Sequence, residues 1–438
     1  MNSKTDPKQF QRRDFLKTSA LSAAGLMILP GFKSFQANDN INLGFIGVGR
    51  QAMFLLDGFI NIDGVKVLAA ADVYGRKRIR FENRVRDHYQ SKGTSVDVKT
   101  YENYKDLLAR TDIDAVVIAS PDHWHGLMAI DAVKSGKDVY LEKPLTFTIQ
   151  EGKALRDAVR KYDRILAVGS QQRSDPNFQH AVRMVQEGKL GDIEKINSYV
   201  GAPPTPYNLP KEVLPIDLNW DMWLGPNPFV HYNAELNPPI SLDPVQNEQF
   251  WGGWRWYKEM GGGFTTDWGA HMFDIVQWGL QMDDSGPTEI IPAGYEDYKY
   301  LTFKYENGSV VTEEPFNEEK TKGVKFHGTD GWIEISRGHY KASNSKLEPK
   351  NQVADDGPYE TKIPHQLNFI ESLRKRKDPR VPVEIGHRSC TVCTLGNISY
   401  DLGRPIKWNP ANETFVDDPQ ADLYMHRTYR KGYQLPMI

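Results

Sequence analysis

A glycine turn between a short apolar strand and a helix is the feature that most restricts the fold of this chain. Residues 41–46 form the apolar strand, and Gly47-Val48-Gly49-Arg50-Gln51-Ala52 follows directly. In the Ala-ending form of the dinucleotide fingerprint, Gly47 permits the tight turn, Gly49 lets backbone approach a pyrophosphate, and Ala52 allows close helix packing. All six positions except Val48 are therefore predicted to bind a nucleotide.

The acid that usually accompanies this fingerprint is also present. A second apolar strand, residues 65–71, ends in Asp72, which stands 20 residues after Ala52. A carboxylate there can accept hydrogen bonds from both ribose hydroxyls and repels a 2′-phosphate. The sequence therefore predicts NAD, with NADP disfavoured, although Arg76 and Lys77 follow closely and weaken this preference.

The order of predicted elements gives the fold class. Strands and helices alternate up to about residue 172, which indicates right-handed parallel crossovers in one sheet. At 438 residues the chain exceeds the size at which single cores stop growing. We predict an α/β protein with a Rossmann-type doubly wound parallel sheet in residues 38–172. An α+β domain with a mainly antiparallel sheet is predicted in residues 173–438, for substrate binding and oligomerisation.

The N-terminus has the pattern of an export signal. Gln11-Arg12-Arg13-Asp14-Phe15-Leu16-Lys17 precedes an apolar stretch, residues 20–30, that is too short to span a membrane. We predict a twin-arginine signal in residues 1–37, cleavage between Phe35 and Asn40, and a periplasmic protein. The alternative is an amphipathic helix, which Gly25, Pro30 and Gly31 would break.

Charge and cysteine content restrict the partners. The net charge is −3, without the basic excess that nucleic acids require, and no apolar run is long enough for a membrane span. Cys390 and Cys393 lie three residues apart in a predicted helix, residues 386–402, and are interpreted as small buried hydrophobic residues. A metal site would need more ligands than this pair offers, so no metal is predicted.

Glu142-Lys143-Pro144 follows the strand-like run 138–141. A lysine at the carboxyl end of a parallel strand points into the crevice where open α/β sheets hold their ligands. The proline ends the strand directly after it. The alternative is a solvated surface lysine.

A long loop, residues 202–263, leads to a second candidate motif. Its tryptophans suit the apolar faces of sugar rings, or they fill a satellite core under the loop. The loop ends in three glycines, and a helix is predicted from Thr266, with Thr266 or Asp267 near its N-cap. Asp267, His271 and Asp274 then share one helical face, whose alternative interpretation is solvated surface.

Three motifs in this order resemble the Gfo/Idh/MocA family of nucleotide-dependent sugar and polyol oxidoreductases: Gly47-x-Gly-x-x-Ala52, Glu142-Lys143-Pro144 and Asp267-x-x-x-His271. The resemblance implies that Lys143, Asp267 and His271 flank the substrate carbon at the nicotinamide. The segment Pro121-Asp122-His123-Trp124-His125 resembles the family's loop beside the cofactor. The further residues predicted to contact the cofactor are Ser120, His123, His125, Glu142 and Lys143.

The predicted catalytic residues fit alcohol oxidation. Imidazoles titrate near neutral pH, so His271 is predicted to take the hydroxyl proton, with Asp267 orienting it or balancing its charge. Lys143 is predicted to stabilise the developing alkoxide. Arg173, Arg255 and Tyr257 are predicted to contact substrate, and both arginines are alternatively surface charges.

Three functions remain open at this point. The first is an NAD-dependent oxidoreductase that moves a hydride between a CH–OH carbon of a sugar or cyclic polyol and a tightly held cofactor. The second is a redox-neutral NAD-dependent glycosidase or lyase that works through a 3-keto sugar, as some relatives in the family do. The third is a non-catalytic nucleotide sensor. A homo-oligomer, dimer or tetramer, is expected.

Overall fold

The computed structural model describes residues 40–351 and 362–438. The predicted twin-arginine signal, residues 1–37, lies outside these residues, so its export function stays a prediction. Within the described ranges, no helix is both long and apolar enough to cross a membrane.

Six parallel strands form the first sheet, in the order β3-β2-β1-β4-β5-β6. The strands are β1 Ile41–Ile46, β2 Val65–Ala71, β3 Lys99–Tyr101, β4 Ala115–Ile118, β5 Asp138–Leu141 and β6 Leu166–Val168. The connecting helices are α1 Arg50–Phe59, α2 Gly75–Ser91, α3 Tyr104–Leu108, α4 Asp122–Lys134 and α5 Ile149–Lys161. This strand order reverses between β1 and β4, which confirms the predicted doubly wound sheet.

Apolar side chains cover both faces of the first sheet. On one face the ring of Phe45 in β1 lies 6.3 Å from Phe59 of α1 and 5.2 Å from Phe81 of α2. The next residue, Ile46, belongs to an aliphatic cluster with Leu127 of α4 on the other face. Since successive side chains of a strand alternate between faces, β1 must be apolar throughout.

Nine strands form the second sheet, in the order β15-β14-β13-β7-β12-β11-β10-β16-β17. Only β7 and β12 pair in parallel; the other neighbours pair antiparallel. The predicted, mainly antiparallel sheet is therefore confirmed. Its strands are β7 Ile193–Tyr199, β10 Glu289–Ile291, β11 Thr302–Lys304, β12 Val310–Thr312, β13 Gly323–Gly328, β14 Gly331–Ser336, β15 His339–Ala342, β16 Ile406–Asn409 and β17 Thr414–Phe415; β8 Ser241–Leu242 and β9 Val245–Gln246 pair separately within the long loop.

Helices from the second part of the chain pack on both sheets. Phe178 and Phe273 join the core of the second sheet. By contrast, Phe369 lies 6.2 Å from Phe59, and Cys390 is buried in the aliphatic cluster of the first sheet. The division at residues 172 and 173 stays a prediction. The helices are α6 Pro176–Gln186, α7 Trp220–Leu224, α8 Gly263–Asp267, α9 Gly269–Gly279, α10 Lys362–Lys375, α11 Val383–Leu402 and α12 Pro419–Asp422.

The helix that carries the second motif is broken where the sequence predicts continuity. Asp267 ends α8, and α9 begins after Trp268. The N-cap prediction at Thr266 or Asp267 is therefore wrong, because the helical turn starts at Gly263. There φ is +66°, and an added Cβ would lie 2.4 Å from the backbone nitrogen of Pro204, so only glycine fits.

Candidate active site

Two adjoining cavities lie at the carboxyl ends of the strands of the first sheet. We call the first the glycine-loop cavity, because Gly47, Gly49 and Asp72 line it. We call the second the lysine cavity, because Lys143 and His271 line it. An elongated ligand along their common wall would reach from the glycine turn to Lys143. The residues lining both cavities are Gln51, Ala119, Ser120, Trp251, Trp254 and Arg255.

The glycine turn leaves room for a phosphate at the start of α1. Gly47 has φ +77°, and an added Cβ would lie 2.8 Å from the backbone nitrogen of Ser120. Gly49 caps α1 without a side-chain hydrogen bond, and an added Cβ there meets nothing within 4 Å. The N–H groups of an uncapped first turn bind anions, so this turn fits a pyrophosphate.

Asp72 is held at the end of β2 by two backbone donors. Its Oδ2 accepts from Val48 N at 2.7 Å, and its Oδ1 accepts from Tyr74 N at 2.8 Å. On the same cavity wall, Ser120 Oγ is buried and has no hydrogen-bond partner among the described residues. A carboxylate, an unsatisfied hydroxyl and an uncapped helix together fit a nicotinamide dinucleotide.

Arg50 and Gln51 of the turn contact residues that line the lysine cavity. The Arg50 guanidinium lies 4.8 Å from the centroid of the Trp251 ring. Gln51 Nε2 donates to Glu142 Oε1 at 2.7 Å. Ala52 is fully buried on α1, as its predicted packing role requires.

The structure does not bring His123 or His125 to either cavity wall. The His125 ring nitrogens lie 2.7 Å from Pro144 O and 3.0 Å from Ser120 O. Burial lowers the pKa of His123 to about 3 and the pKa of His125 to about 4, although the carbonyl oxygens at their ring nitrogens act in the opposite direction. His125 positions the turns that carry Ser120 and Lys143, and direct contact with a cofactor stays a prediction.

The lysine of the Glu-Lys-Pro motif forms an ion pair with the aspartate of α8. Lys143 Nζ donates to Asp267 Oδ1 at 2.6 Å and to Asp267 O at 2.9 Å. Arg255 Nε lies 3.5 Å from the same Oδ1. Burial alone would raise the pKa of Asp267, but Lys143 and Arg255 hold it below its ordinary value. Asp267 is therefore ionised at neutral pH.

His271 lies in the same cavity and contacts a residue of the β14–β15 turn. Arg337 Nη2 lies 3.0 Å from His271 Nε2. Because a guanidinium only donates, Nε2 is the acceptor. When the Gln172 amide is oriented so that its oxygen accepts from Arg337, its nitrogen lies 2.7 Å and its oxygen 3.3 Å from His271 Nδ1. The lone pair of Nε2 thus faces Arg337 in this arrangement.

Asp122, the first residue of α4, supplies a second carboxyl group to the lysine cavity. Burial raises its pKa to about 8, although Arg255 and Lys143 act in the opposite direction. Asp267 adds to the rise. Asp122 is therefore mostly protonated at neutral pH and can donate a hydrogen bond, unlike Asp267.

The three predicted substrate residues have different surroundings. Arg255 lines both cavities. Arg173 lines neither; it is 2% exposed, and its Nε donates to Asp274 Oδ2 at 2.8 Å. Tyr257 is buried, and its hydroxyl donates to Glu235 at 3.3 Å. Substrate contact by Arg173 or Tyr257 stays a prediction.

The tryptophans of the long loop divide between the two predicted roles. Trp220 and Trp223 stack with centroids 4.5 Å apart in a satellite core. Trp251 and Trp256 line the lysine cavity, and Trp254 belongs to both groups. The satellite core is therefore confirmed for part of the loop, and stacking on a sugar ring stays a prediction for the tryptophans that line the cavity.

Sequence reasoning did not identify Arg337, Gln172 or Asp122 as site residues. Arg337 stands in the hairpin turn after β14, and only the tertiary fold brings it to His271 of α9. Gln172 directly precedes Arg173, which was predicted to contact substrate. Asp122 lies in the motif whose histidines were predicted to contact the cofactor. The signal that could have identified Asp122 is its place as a polar residue at the N-terminal end of the helix that follows β4.

Two family descriptions match this chain. The NAD-binding Rossmann fold of the Gfo/Idh/MocA oxidoreductase family matches residues 41–170. The C-terminal alpha/beta domain of the same oxidoreductase family matches residues 199–435.

Three individual relatives share between 18% and 29% sequence identity with this chain. A glycosyl hydrolase family 109 protein of Shewanella pealeana is 29% identical over 208 residues, 42% of this chain and 44% of that protein. The chain spans about half the length of the curated relatives it matches. The WlbA dehydrogenase of Bordetella pertussis, solved with NADH and UDP-GlcNAcA, is 18% identical with a TM-score of 0.60, over 86% of this chain and 99% of that one. Myo-inositol 2-dehydrogenase of Lactobacillus plantarum is 18% identical with a TM-score of 0.54, over 84% and 99%. These two structures show a shared fold.

The raised pKa of Asp122 predicts a pH-dependent stability. In the unfolded chain this carboxyl loses its proton near pH 4, but in the fold it keeps the proton up to about pH 8. Between these values stability falls as pH rises, by up to about 1.4 kcal/mol per pH unit. Asp122→Asn removes that contribution, so its urea unfolding free energy should fall less than that of the wild type between pH 5 and pH 8.

Asp297→Asn is the matched control, because Asp297 is exposed and lies outside both cavities. Between pH 5 and pH 8, the unfolding free energy of Asp297→Asn should fall as much as that of the wild type. An Asp122→Asn slope equal to that of the wild type would show that Asp122 is ionised in the fold.

Proposed function

The chain belongs to the Gfo/Idh/MocA oxidoreductase family, and we propose that it moves a hydride between a CH–OH carbon of a sugar or cyclic polyol and a nicotinamide cofactor. One observation carries the proposal. Lys143, ionised Asp267 and His271 lie in a cavity that adjoins the cavity of the glycine turn. Aromatic rings from the long loop line the same cavity, and such rings suit sugar faces.

The residues of the glycine-loop cavity would hold the cofactor. The N–H groups at the start of α1 would bind the pyrophosphate, and Asp72 would accept hydrogen bonds from the ribose. When bound there, a nicotinamide would supply the hydride acceptor.

In the lysine cavity the proposed roles follow from charge and hydrogen bonding. Lys143 donates to the substrate oxygen as negative charge develops there, and Asp267 fixes the position of that ammonium group. His271 accepts the hydroxyl proton on Nε2. Since Arg337 donates to that nitrogen, substrate must first replace this contact. Asp122 can donate a hydrogen bond to a neighbouring hydroxyl.

Replacing Lys143 or His271 by Ala should lower kcat by about 10²- to 10⁴-fold, with a much smaller effect on nucleotide binding. The double variant should lose much less than the product of the two single effects, because both side chains serve one step. Steady-state kinetics and nucleotide titration measure the two quantities.

Lys304→Ala is a matched control, since Lys304 also pairs with a carboxylate, Glu289 at 2.8 Å, but lies in the second sheet away from both cavities. It should keep wild-type kcat. Wild-type turnover by His271→Ala would refute the proposed catalytic centre.

A redox-neutral glycosidase or lyase is the second candidate, and relatives described as glycosyl hydrolase family 109 proteins favour it. In that route a bound nicotinamide would take the hydride from C3, and the C3 ketone acidifies the C2 hydrogen, so that the C2 proton and the C1 aglycone are eliminated. In a glycosidase, water then adds across the C1–C2 double bond with its hydroxyl at C1 and a proton at C2, and the hydride returns to C3. The C2 hydrogen exchanges with solvent during this cycle.

The two candidates differ in deuterated water. With an active glycoside, the glycosidase should give product carrying deuterium at C2 and no net NADH. The oxidoreductase should give oxidised sugar and NADH in equal amounts. Mass spectrometry and absorbance at the NADH band measure both results in one reaction.

We also propose NAD as the cofactor. The Asp72 carboxylate would lie against the 2′ position of the ribose, where it repels a phosphate. NAD should therefore bind more tightly than NADP. Asp72→Ala should lower the ratio of the NADP and NAD dissociation constants by about 10- to 100-fold. Asp72→Asn, which keeps an acceptor but not the charge, should lower this ratio as well. Tighter NADP binding by the unmodified protein would contradict the assignment.

Export and assembly complete the proposal. The Arg12-Arg13 pair supports export of the folded protein to the periplasm by the twin-arginine route. A homo-oligomer stays a prediction.

A further inference from the structure

Part of the long loop closes over the glycine-loop cavity. Asn237, Glu248 and Trp251 line this cavity together with Asp72 of the first sheet. Trp251 also receives the Arg50 guanidinium at 4.8 Å from its ring centroid. The loop therefore forms part of the wall beside the proposed ribose site.

Two cations of α2 meet this part of the loop, and both are buried. Lys77 Nζ donates to Asn237 Oδ1 at 2.7 Å and lies 3.2 Å from Glu248 Oε1. Arg80 holds the same carboxylate through both terminal nitrogens, and its Nη2 also donates to Val48 O at 2.8 Å. Lys77 is 5% exposed, Arg80 8% and Glu248 6%.

The charges of this group balance. Lys77 and Arg80 face the carboxylates of Glu248 and Asp72; burial lowers the pKa of Lys77, and the charges of both carboxylates oppose this shift. Burial alone would raise the pKa of Glu248, but Lys77 and Arg80 hold it below its ordinary value. Glu248 is therefore ionised, and it engages both cations that α2 buries, of which Lys77 lines the cavity.

A 2′-phosphate needs cationic partners to offset its charge of about −2. Lys77 stands five residues after Asp72 and lines the same cavity, so it is placed to serve as such a partner. Its ammonium group is already bound by Glu248. A phosphate there would meet the carboxylates of Asp72 and Glu248, and the Lys77 charge would already be offset by Glu248.

We propose that Glu248 is a cofactor-selectivity residue, which excludes a 2′-phosphate by engaging Lys77 and Arg80. The inference rests on the proposed nicotinamide dinucleotide site. It adds to the role of Asp72, because Glu248 comes from the second part of the chain and acts through α2. Cofactor choice thus depends on a residue 176 positions after Asp72 in the sequence.

The test uses two nucleotide fragments that differ only in the 2′-phosphate, 5′-AMP and adenosine 2′,5′-bisphosphate. They bind through the adenosine end alone, so the result does not depend on catalysis. Calorimetry on the nucleotide-free full chain should show that the wild type prefers 5′-AMP. Glu248→Gln should raise the affinity for the bisphosphate by about 10-fold, with 5′-AMP changed by less than about 2-fold.

Two further variants identify the cation. Lys77→Met added to Glu248→Gln should remove the gain in bisphosphate affinity. Lys77→Met alone should leave the ratio of the two affinities unchanged, because Glu248 already engages Lys77. If Glu248→Gln fails to fold, Lys77→Met alone still tests the proposal. A loss of bisphosphate affinity without a loss of 5′-AMP affinity in Lys77→Met would overturn the proposal.

Glu259→Gln is the matched control. Glu259 lies in the same loop, accepts from Tyr207 N at 3.1 Å and lines neither cavity, so both affinities should stay at wild-type values. An equal change of both affinities in Glu248→Gln would show a general effect on the loop and would overturn the selectivity role. A wild type that binds neither fragment would instead refute the nucleotide site itself.

Discussion

The ion pair between Lys143 and Asp267 is the contact on which the site depends. It joins the end of β5 in the first sheet to the end of α8, two elements 124 residues apart. Its side chains are 15% and 16% exposed, so both charges are largely removed from water. Removing one partner of a buried pair costs about 3–5 kcal/mol, because the other charge is left without compensation. The pair therefore fixes the lysine and constrains how α8 lies against the first sheet.

The long loop adds a second connection of the same kind. Its satellite core, with Trp220 stacked on Trp223, gives it a packed interior, which most long connections lack. Glu248 then binds α2, and Trp251 contacts Arg50 at the glycine turn. The loop is thus packed inside and anchored by charge at the cavity wall. This arrangement lets residues of the second part of the chain contribute to both cavities.

The sequence predicts those features that depend on local patterns. The turn from Gly47 to Ala52 requires a strand before it and a helix after it, and the structure contains both. The strand alternation up to residue 172 likewise determines the parallel sheet. The return of α10 and α11 to that sheet was not predictable, because no local pattern records which sheet a helix covers. The sequence predicts that Phe369 is a core residue, but only the structure shows that it contacts Phe59 on the first sheet.

The candidate site follows the same division. Lys143 and His271 belong to motifs whose spacing is visible in the sequence. Arg337 is an arginine in a hairpin turn, and Glu248 is one acid among the 57 acidic residues of the chain. Their place in the site depends on contacts with residues distant in the sequence, His271 for Arg337 and Lys77 for Glu248. Long-range pairs of opposite or complementary groups are what sequence patterns do not encode.

The two carboxyl groups of the lysine cavity show how one site can hold acid and base forms at the same pH. Asp267 contacts Lys143 directly and stays ionised, whereas Asp122 is buried at the start of α4 and keeps its proton up to about pH 8. Groups whose environments push their pKa values apart take different roles. Asp267 can only accept, so it orients the ammonium of Lys143. Asp122 can donate, so it can bind a hydroxyl group in the lysine cavity. The cavity therefore offers donors and acceptors to adjacent hydroxyls, as the proposed polyhydroxy substrate would require.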